Sequence, residues 1–174
     1  MSRLWIVLLA GAGIASAQGI DLGALAGAGG FTASGPTLAA GQVGVEVCVF
    51  CTGRFGIFGE YSHWFTSGVA QGFNASDVVR RADLAGGGLR IQGRGRIRPF
   101  VDFGLVGGRD EHGLAGRGGG LGGGVVGGGV RIPLGGRWYI RPQVRAYGLS
   151  PHTLEGLDAH WAVSGLVGIG YSWK

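Results

Sequence analysis

The chain has 174 residues, a formal net charge of +5 and 41 glycines, while only 14% of its residues are charged. This length allows one domain at most; the glycines exclude long helices, since each costs about 1 kcal/mol relative to alanine, and no strict three-residue period supports collagen. Because 45% of the residues are hydrophobic and they alternate regularly, disorder is also excluded and a β protein remains.

The first seventeen residues, "MSRLWIVLLAGAGIASA", have the layout of a secretory signal peptide. One arginine precedes an apolar run from Leu4 to about Ile14, and Ala15, Ser16 and Ala17 form a small-x-small cleavage site. The apolar run is too short for a membrane-spanning helix, which needs about 20 residues. We therefore predict that residues 1–17 direct export and that residues 18–174 form one domain.

Eight stretches of alternating apolar and polar residues follow, at the spacing of successive strands. In chain order they are "GIDLGALAGAGGF", "GQVGVEVCVF", "RFGIFGEYSHWF", "LAGGGLRIQ", "IRPFVDFGLVGG", "LGGGVVGGGVRIPL", "RWYIRPQVRAYG" and "HWAVSGLVGIGYSW". The second shows the clearest period of two, because Val43, Val45 and Val47 alternate with Gly44 and Glu46. The sequence therefore predicts eight strands, each with one apolar and one polar face.

The connections between these strands alternate in length. Short turns at "CTGR", "GRGR" and "LGGR" alternate with longer, more polar stretches at "TASGPTLA", "TSGVAQGFNASDV", "RDEHGLAGRGG" and "SPHTLEGLD". An even number of strands of about 10 residues, with short turns at one end and longer loops at the other, is typical of a transmembrane β-barrel. We predict an all-β fold, an eight-stranded antiparallel up-and-down transmembrane barrel whose apolar faces contact lipid.

The hairpins "FGEYSHW", "RPFVDFGLVGG" and "GVRIPLGGRWYIRPQVRAYG" resemble those of small eight-stranded outer-membrane barrels of the OmpA/OmpX type, over residues 18–174. This resemblance implies a location in the bacterial outer membrane and contacts with its lipid and lipopolysaccharide. It also implies assembly by the machinery that reads aromatic residues two apart in the last strand. Ile169, Tyr171 and Trp173 match that spacing, although Lys174 follows them. We expect a monomer.

The polar faces of the strands carry both signs of charge into the predicted interior. Its expected charge network consists of Glu46, Glu60, Arg90, Arg98, Asp102, Arg131, Arg141 and Arg145. The interior of an eight-stranded barrel is just wide enough to be filled by side chains, and buried charges cost several kcal/mol unless they are paired. We expect a plugged lumen and a structural or loop-presenting function; a narrow pore for small solutes is the alternative.

Aromatic residues and cysteines suggest two further features. Two girdles at the lipid interfaces are expected to contain Trp64, Phe65, Trp138, Trp161, Tyr171 and Trp173.

Cys48 and Cys51 in an exported chain favour a disulfide that staples the turn, although two free thiols are the other possibility. Two ligands are too few for a zinc site, so no metal is expected.

An enzyme is the least favoured class. Some barrels of this size modify lipid A with a serine, a histidine and a carboxylate. Here strand alternation puts His160 and Ser164 on the same face, and Ser62 lies two residues from Glu60. Their spacing does not form a motif, so we predict no catalytic residues, no enzymatic activity and no cofactor. The basic stretch "GRGRIRP" lacks an aromatic stacking platform, and nucleic acid is not an expected partner.

Overall fold

A computed structural model describes residues 19–32, 37–66, 79–112, 117–151 and 160–173. Within these ranges the chain forms one closed antiparallel barrel in which every strand pairs with its neighbours in the sequence. The strands are β1 Ile20–Thr32, β2 Thr37–Val49, β3 Phe55–Thr66, β4 Val79–Gln92, β5 Arg98–His112, β6 Arg117–Gly135, β7 Trp138–Pro151 and β8 His160–Trp173. The predicted all-β, eight-stranded fold is confirmed.

Some sequence predictions lie outside the described residues. These are the signal peptide at residues 1–17, Lys174 and most of the long connections. Where the structure does describe chain next to these connections, it assigns more strand than predicted: β5 continues to His112 and β6 begins at Arg117, within the stretch expected to be a loop. No helix in the described ranges is long and apolar enough to cross a membrane.

The barrel closes with a large stagger between its strands. Directly paired residues lead from Ile20 through β2 and the following strands once around the barrel and return to β1 at Gly30, ten residues further along. Such a stagger tilts the strands relative to the barrel axis. Closure also leaves no free sheet edge, which is required of a β structure in lipid.

Three short turns join the strands at one end, at the positions predicted. The turn between β6 and β7 contains Gly135 and Gly136 with φ angles of 134° and 57°, a backbone conformation that glycine adopts without steric cost. In the turn after β2, Gly53 donates a backbone hydrogen bond to the carbonyl of Phe50 at 3.0 Å. These turns define what we call the short-turn end; the opposite end is the loop end.

The two faces of each strand differ as their alternation requires. Outward side chains are apolar and exposed on the isolated chain, for example Val45 at 52%, Leu105 at 75% and Val144 at 57%. Inward side chains are charged, polar, aromatic or small in the lumen near the short-turn end and at its centre, and large aliphatic side chains such as Leu84 and Leu149 also face inward. Neighbouring strands approach closely where glycine faces inward: a Cβ added at Gly27 would lie 2.0 Å from the carbonyl oxygen of Gly165 on the adjacent strand.

Candidate functional site: the charged lumen

Six charged side chains from five strands meet inside the central part of the barrel. Glu60 and Arg145 lie near the middle of β3 and β7, and every member of the group is at most 8% exposed. The group, which we call the central cluster, consists of Glu46, Glu60, Asp102, Arg90, Arg141 and Arg145. Three carboxylates and three guanidinium groups have no net formal charge.

Glu46 is the carboxylate that the arginines share. Arg90 donates to its two oxygens, from Nη1 to Oε1 at 2.8 Å and from Nη2 to Oε2 at 3.1 Å. Arg141 and Arg145, both from β7, also donate to these oxygens. One carboxylate therefore joins β2 to β4 and β7 across the lumen through charge-assisted hydrogen bonds, the stronger kind in proteins.

The other two carboxylates complete the cluster. Asp102 receives both Nε and Nη2 of Arg90 at 2.7 Å and Nη2 of Arg145 at 3.2 Å. Glu60 pairs with Arg145 and accepts a hydrogen bond from the hydroxyl of Tyr147 at 3.4 Å. Each carboxylate thus has at least one arginine partner, as buried charges require.

Aromatic rings flank the guanidinium groups. The guanidinium carbon of Arg90 lies 4.4 Å from the ring centroid of Phe100 and 5.6 Å from that of Phe58. Arg145 lies 5.3 Å from Phe58, and Arg141 lies 5.7 Å from Phe100. These distances allow cation–π attraction, which strengthens where water is excluded.

Arg131 does not belong to the central cluster. It lies nearer the short-turn end, in a second group of charged and polar side chains. It pairs with Asp21 and donates to the hydroxyl of Ser172, while its guanidinium carbon lies 4.0 Å from the ring centroid of Tyr139. Asp21 was not among the predicted network residues. Strand alternation could have identified Asp21 as inward-facing, because it precedes the outward-facing Leu22 on β1.

The prediction that Arg98 joins an interior charge network is wrong. Arg98 lies at the rim of the short-turn end, partly exposed, and donates to the carbonyl oxygens of Thr52 and Gly95, each at 3.3 Å. It is the first residue of β5, and its guanidinium group reaches the turns instead of the carboxylates deeper in the lumen. The alternation of β5 predicted which face of the strand Arg98 occupies but not its position along the barrel axis.

The assignment of Trp64 to a lipid-facing girdle is also wrong. Trp64 is 1% exposed and faces inward, on the same parity as Glu60 and Ser62. Its ring packs edge-on against that of Tyr147 with 5.5 Å between centroids. Around them, towards the loop end, the lumen is filled by buried apolar side chains, among them Leu84, Val106, Leu121 and Leu149.

The other five residues of the predicted girdles face outward near the two ends of the barrel. Trp138 and Tyr171 have ring centroids 5.2 Å apart, and Tyr171 and Trp173 have centroids 4.7 Å apart, near the short-turn end. Phe65 and Trp161 are 47% and 59% exposed near the loop end. Such outward placement at the two ends is what the predicted aromatic girdles require.

Outward polar residues adjoin the girdle at the loop end. Asp83 accepts a hydrogen bond from the Tyr61 hydroxyl at 2.6 Å and lies 2.8 Å from Nδ1 of His63. Arg81 and Glu111 form an ion pair at 2.7 Å with both side chains about half exposed. The apolar outer surface of β3, β4 and β5 therefore ends at this level.

Cys48 and Cys51 are joined by a disulfide bond across the β2–β3 turn, and both residues are buried. The side-chain amide of Gln92 donates to the carbonyl oxygens of Cys51 and Gly53, the latter at 2.8 Å. The disulfide and Gln92 together hold this turn against the lumen.

Several buried polar atoms have no hydrogen-bond partner among the described residues. They include Oε1 of Gln42, both amide atoms of Gln143, the hydroxyl oxygens of Ser62 and Ser164, and, within the central cluster, Nε and Nη2 of Arg141 and Nε of Arg145. Ser62 and Ser164 are the serines considered for an enzyme, and both are enclosed in the barrel wall at no more than 2% exposure. The side chain of His160 lies outside the described part.

The closed eight-stranded antiparallel barrel, with its apolar outer surface and charged lumen, has the fold of small outer-membrane β-barrels. No protein-family model matches the sequence, and no curated protein matches it at the sequence level. Solved structures of such barrels share the fold. The expected likeness to eight-stranded outer-membrane barrels is therefore confirmed.

The fold is similar to that of Neisserial surface protein A (NspA), with a TM-score of 0.72 and 10% sequence identity over 87% of this chain and 96% of that one. For Ail, the attachment invasion locus protein of Yersinia pestis, the values are 0.59 and 11%, over 90% and 99% of the chains. For the N-terminal β-barrel domain of Pseudomonas aeruginosa OprF they are 0.55 and 14%, over 88% and 97%. These three neighbours are bacterial outer-membrane proteins, which is consistent with an outer-membrane location for this chain.

Proposed function

We propose that this protein is a non-enzymatic, monomeric outer-membrane barrel whose lumen is plugged by side chains and whose rigid wall presents the loops at the loop end to the exterior. The observation that carries this proposal is the sharing of Glu46 by Arg90, Arg141 and Arg145. These contacts span the lumen between strands that are not neighbours in the barrel. A solute passing through would have to separate them.

The charge balance of the central cluster supports a plug over a channel. Its three carboxylates and three guanidinium groups pair with one another across the lumen, and an aqueous channel would have to separate these pairs. The apolar layer around Trp64 and Tyr147 adds a second constriction towards the loop end. The two layers in series leave little room for an aqueous path.

The location and assembly route belong to the same proposal. Residues 1–17 direct export, and Ile169, Tyr171 and Trp173 on β8 are read by the barrel-assembly machinery. The outward apolar side chains contact membrane lipid, and the loop end faces lipopolysaccharide. Fractionation should recover the protein with outer membranes, and its gel migration should change on boiling. Recovery as a soluble periplasmic protein would contradict this proposal.

A narrow pore for small solutes is the second candidate. The unpartnered polar atoms of Gln42, Ser62, Gln143 and Ser164 favour it, because buried polar groups without protein partners are usually hydrated. A lipid A-modifying enzyme would need one of the serines to reach a substrate, and both are enclosed. An assay of lipid A deacylation with the purified barrel tests that third possibility directly.

Conductance distinguishes the plug from the pore. We expect the wild-type barrel to give no current steps in a planar bilayer, whereas replacing Arg90 and Arg145 with alanine should open transient currents. Ser150→Ala, at an outward position near the loop end, serves as the control and should stay silent. Regular single-channel steps from the wild-type protein would overturn the plug and favour the pore.

A further inference from the structure

The short-turn end of the barrel is strongly basic. It carries Arg54, Arg94, Arg96, Arg98, Arg131 and Arg137. Within the described residues at this end, Asp21 is the one carboxylate, and it is buried against Arg131. Arg96 and Arg137 are exposed and form no ion pair within the described part of the chain. This end therefore holds positive charge that no carboxylate of the described chain neutralises.

Some of these arginines surround a concave site. A pocket of about 520 Å³ opens at the short-turn end, lined by Arg96, Arg98, Arg131, Arg137, Tyr139 and Ser172. The Ser172 hydroxyl and Arg131 are already engaged with Asp21. Because the guanidinium groups of Arg96, Arg98 and Arg137 border the same cavity, the pocket suits an anion with several acceptor oxygens. We call it the basic pocket.

An apolar groove begins beside the basic pocket. It has a volume of about 570 Å³ and lies on the outer surface of β1, between residues of β2 and β8. The small side chain of Ala24 forms its floor because it is paired with the larger Val45 on one side and Ile169 on the other. Trp138 lines both the groove and the basic pocket, so the two sites adjoin at this residue.

We propose that the basic pocket and the groove form one binding site for an anionic glycerophospholipid of the periplasmic leaflet. The phosphate lies among Arg96, Arg98 and Arg137, and one acyl chain lies in the groove over Ala24. Trp138 sits where they join, at the lipid interface that tryptophan prefers. This inference rests on the proposed membrane location and goes beyond it by naming a lipid class, a leaflet and a site.

Orientation and charge identify the occupant. In transmembrane barrels of this kind the short turns lie on the periplasmic side, so lipopolysaccharide, in the opposite leaflet, is at the wrong end. A zwitterionic headgroup would bring an ammonium group next to guanidinium groups that already lack carboxylate partners. An anionic headgroup avoids that repulsion and supplies the missing negative charge.

Native mass spectrometry of the full-length barrel in detergent tests the site, with phosphatidylglycerol and phosphatidylethanolamine as the added lipids. We expect wild-type protein to retain phosphatidylglycerol in preference to phosphatidylethanolamine. Replacing Arg96 and Arg137 with glutamine should weaken this retention about tenfold, as expected for losing a charge-assisted contact. Arg109→Gln, at an exposed position near the loop end, is the matched control and should change nothing.

A second pair of variants tests the acyl chain. Ala24→Phe should fill the groove and reduce retention of phosphatidylglycerol, while Ala85→Phe, on the outer face of β4, should not. Inorganic phosphate should compete poorly, because it lacks the chain; full displacement of the lipid by equal phosphate would indicate a site for soluble anions and overturn the proposal. Equal retention of both lipids by wild-type protein would also overturn it.

Two controls keep this result separate from the proposed function. Heat-modifiable migration shows whether each variant is folded, and the loss of wild-type phosphatidylglycerol binding with added salt gives a readout that needs no variant. A conducting barrel that still selects phosphatidylglycerol would contradict the plug alone. A silent barrel without lipid preference would contradict the lipid site alone.

Discussion

Arg90 and Asp102 form a two-point ion pair inside the barrel, with Nε donating to Oδ1 and Nη2 to Oδ2, both at 2.7 Å. The residues lie directly opposite each other on β4 and β5. Asp102 has no exposed surface, and Arg90 is 3% exposed. The pair therefore joins two neighbouring strands at a point that water does not reach from outside.

Asp102→Asn should destabilise the barrel strongly, because it leaves a guanidinium group in the lumen without its full counter-charge. Losing one partner of a buried pair costs about 3–5 kcal/mol. Urea unfolding in lipid vesicles, followed by tryptophan fluorescence, measures the loss. Glu111→Gln breaks the half-exposed pair with Arg81 and should cost about 0–1 kcal/mol. Equal small losses in both variants would indicate a hydrated lumen.

Val144→Arg should impair insertion, since Val144 is exposed on the outer face in the middle of β7. Arginine on the lipid face costs about 2–4 kcal/mol at the midplane and about 0–1 near the interfaces. Ser150→Arg changes the same face of the same strand near the loop end and should be tolerated. The folded fraction on unboiled gels after insertion into vesicles compares the two. Tolerance of both would show that the lipid boundary lies elsewhere.

Trp64→Ala should cost about 3–5 kcal/mol, the range for removing a large aromatic side chain from a packed interior. Trp161→Ala removes a side chain that is 59% exposed on the outer surface, so its loss should be smaller. Urea midpoints of the two variants in the same vesicles give the comparison. A larger effect at Trp161 would mean that the packing of Trp64 against Tyr147 contributes little.

Cys48 and Cys51 should be oxidised in protein isolated from the outer membrane. Titration with a thiol reagent in denaturant should find no free thiol before reduction and two after it. Reduction should lower the urea midpoint, because it frees the β2–β3 turn; a disulfide typically contributes about 2–4 kcal/mol. The double variant with serine at both positions should not respond to reductant. Two reactive thiols in the unreduced protein would refute the disulfide.

Gly27→Ala should hinder folding, because its Cβ would meet the backbone carbonyl of Gly165 at 2.0 Å. Overpacking of this kind costs about 1–3 kcal/mol. Gly165→Ala changes the adjacent strand at a position where an added Cβ has no atom within 4 Å, and it should be neutral. Refolding yields into vesicles, read from gel migration, compare the two. Similar yields would show that the barrel wall relaxes at Gly27.

How much of the lumen could be predicted depends on the kind of information that each feature requires. Alternation along β2 indicated that Glu46 faces away from Val45 and Val47, because successive side chains of a strand point to opposite faces. The same rule predicted the inward direction of Arg141 and Arg145. The short turns were also predictable, because the paired glycines of "LGGR" favour a tight reversal of the chain.

The position of a side chain along the barrel axis was not predictable in this way. Strand alternation places Asp21, Arg98 and Arg131 on the inward face, like Glu46. The structure nevertheless places the first and third in the group near the short-turn end and Arg98 at the rim. Which residues meet depends on the stagger of ten residues around the barrel, and no single strand encodes it. The error at Trp64 is of another kind, because the alternation of β3 already placed it on the inward face with Glu60, whereas its proximity to Phe65 suggested a girdle.

The sequence alone therefore determined the number of strands, their two faces and the position of the short turns, because these follow from interactions within or between adjacent segments. Closure of the sheet decided the rest. Only the tertiary structure brings Glu46 within reach of Arg90, Arg141 and Arg145, because strands far apart in the sequence face one another across a lumen that their side chains fill.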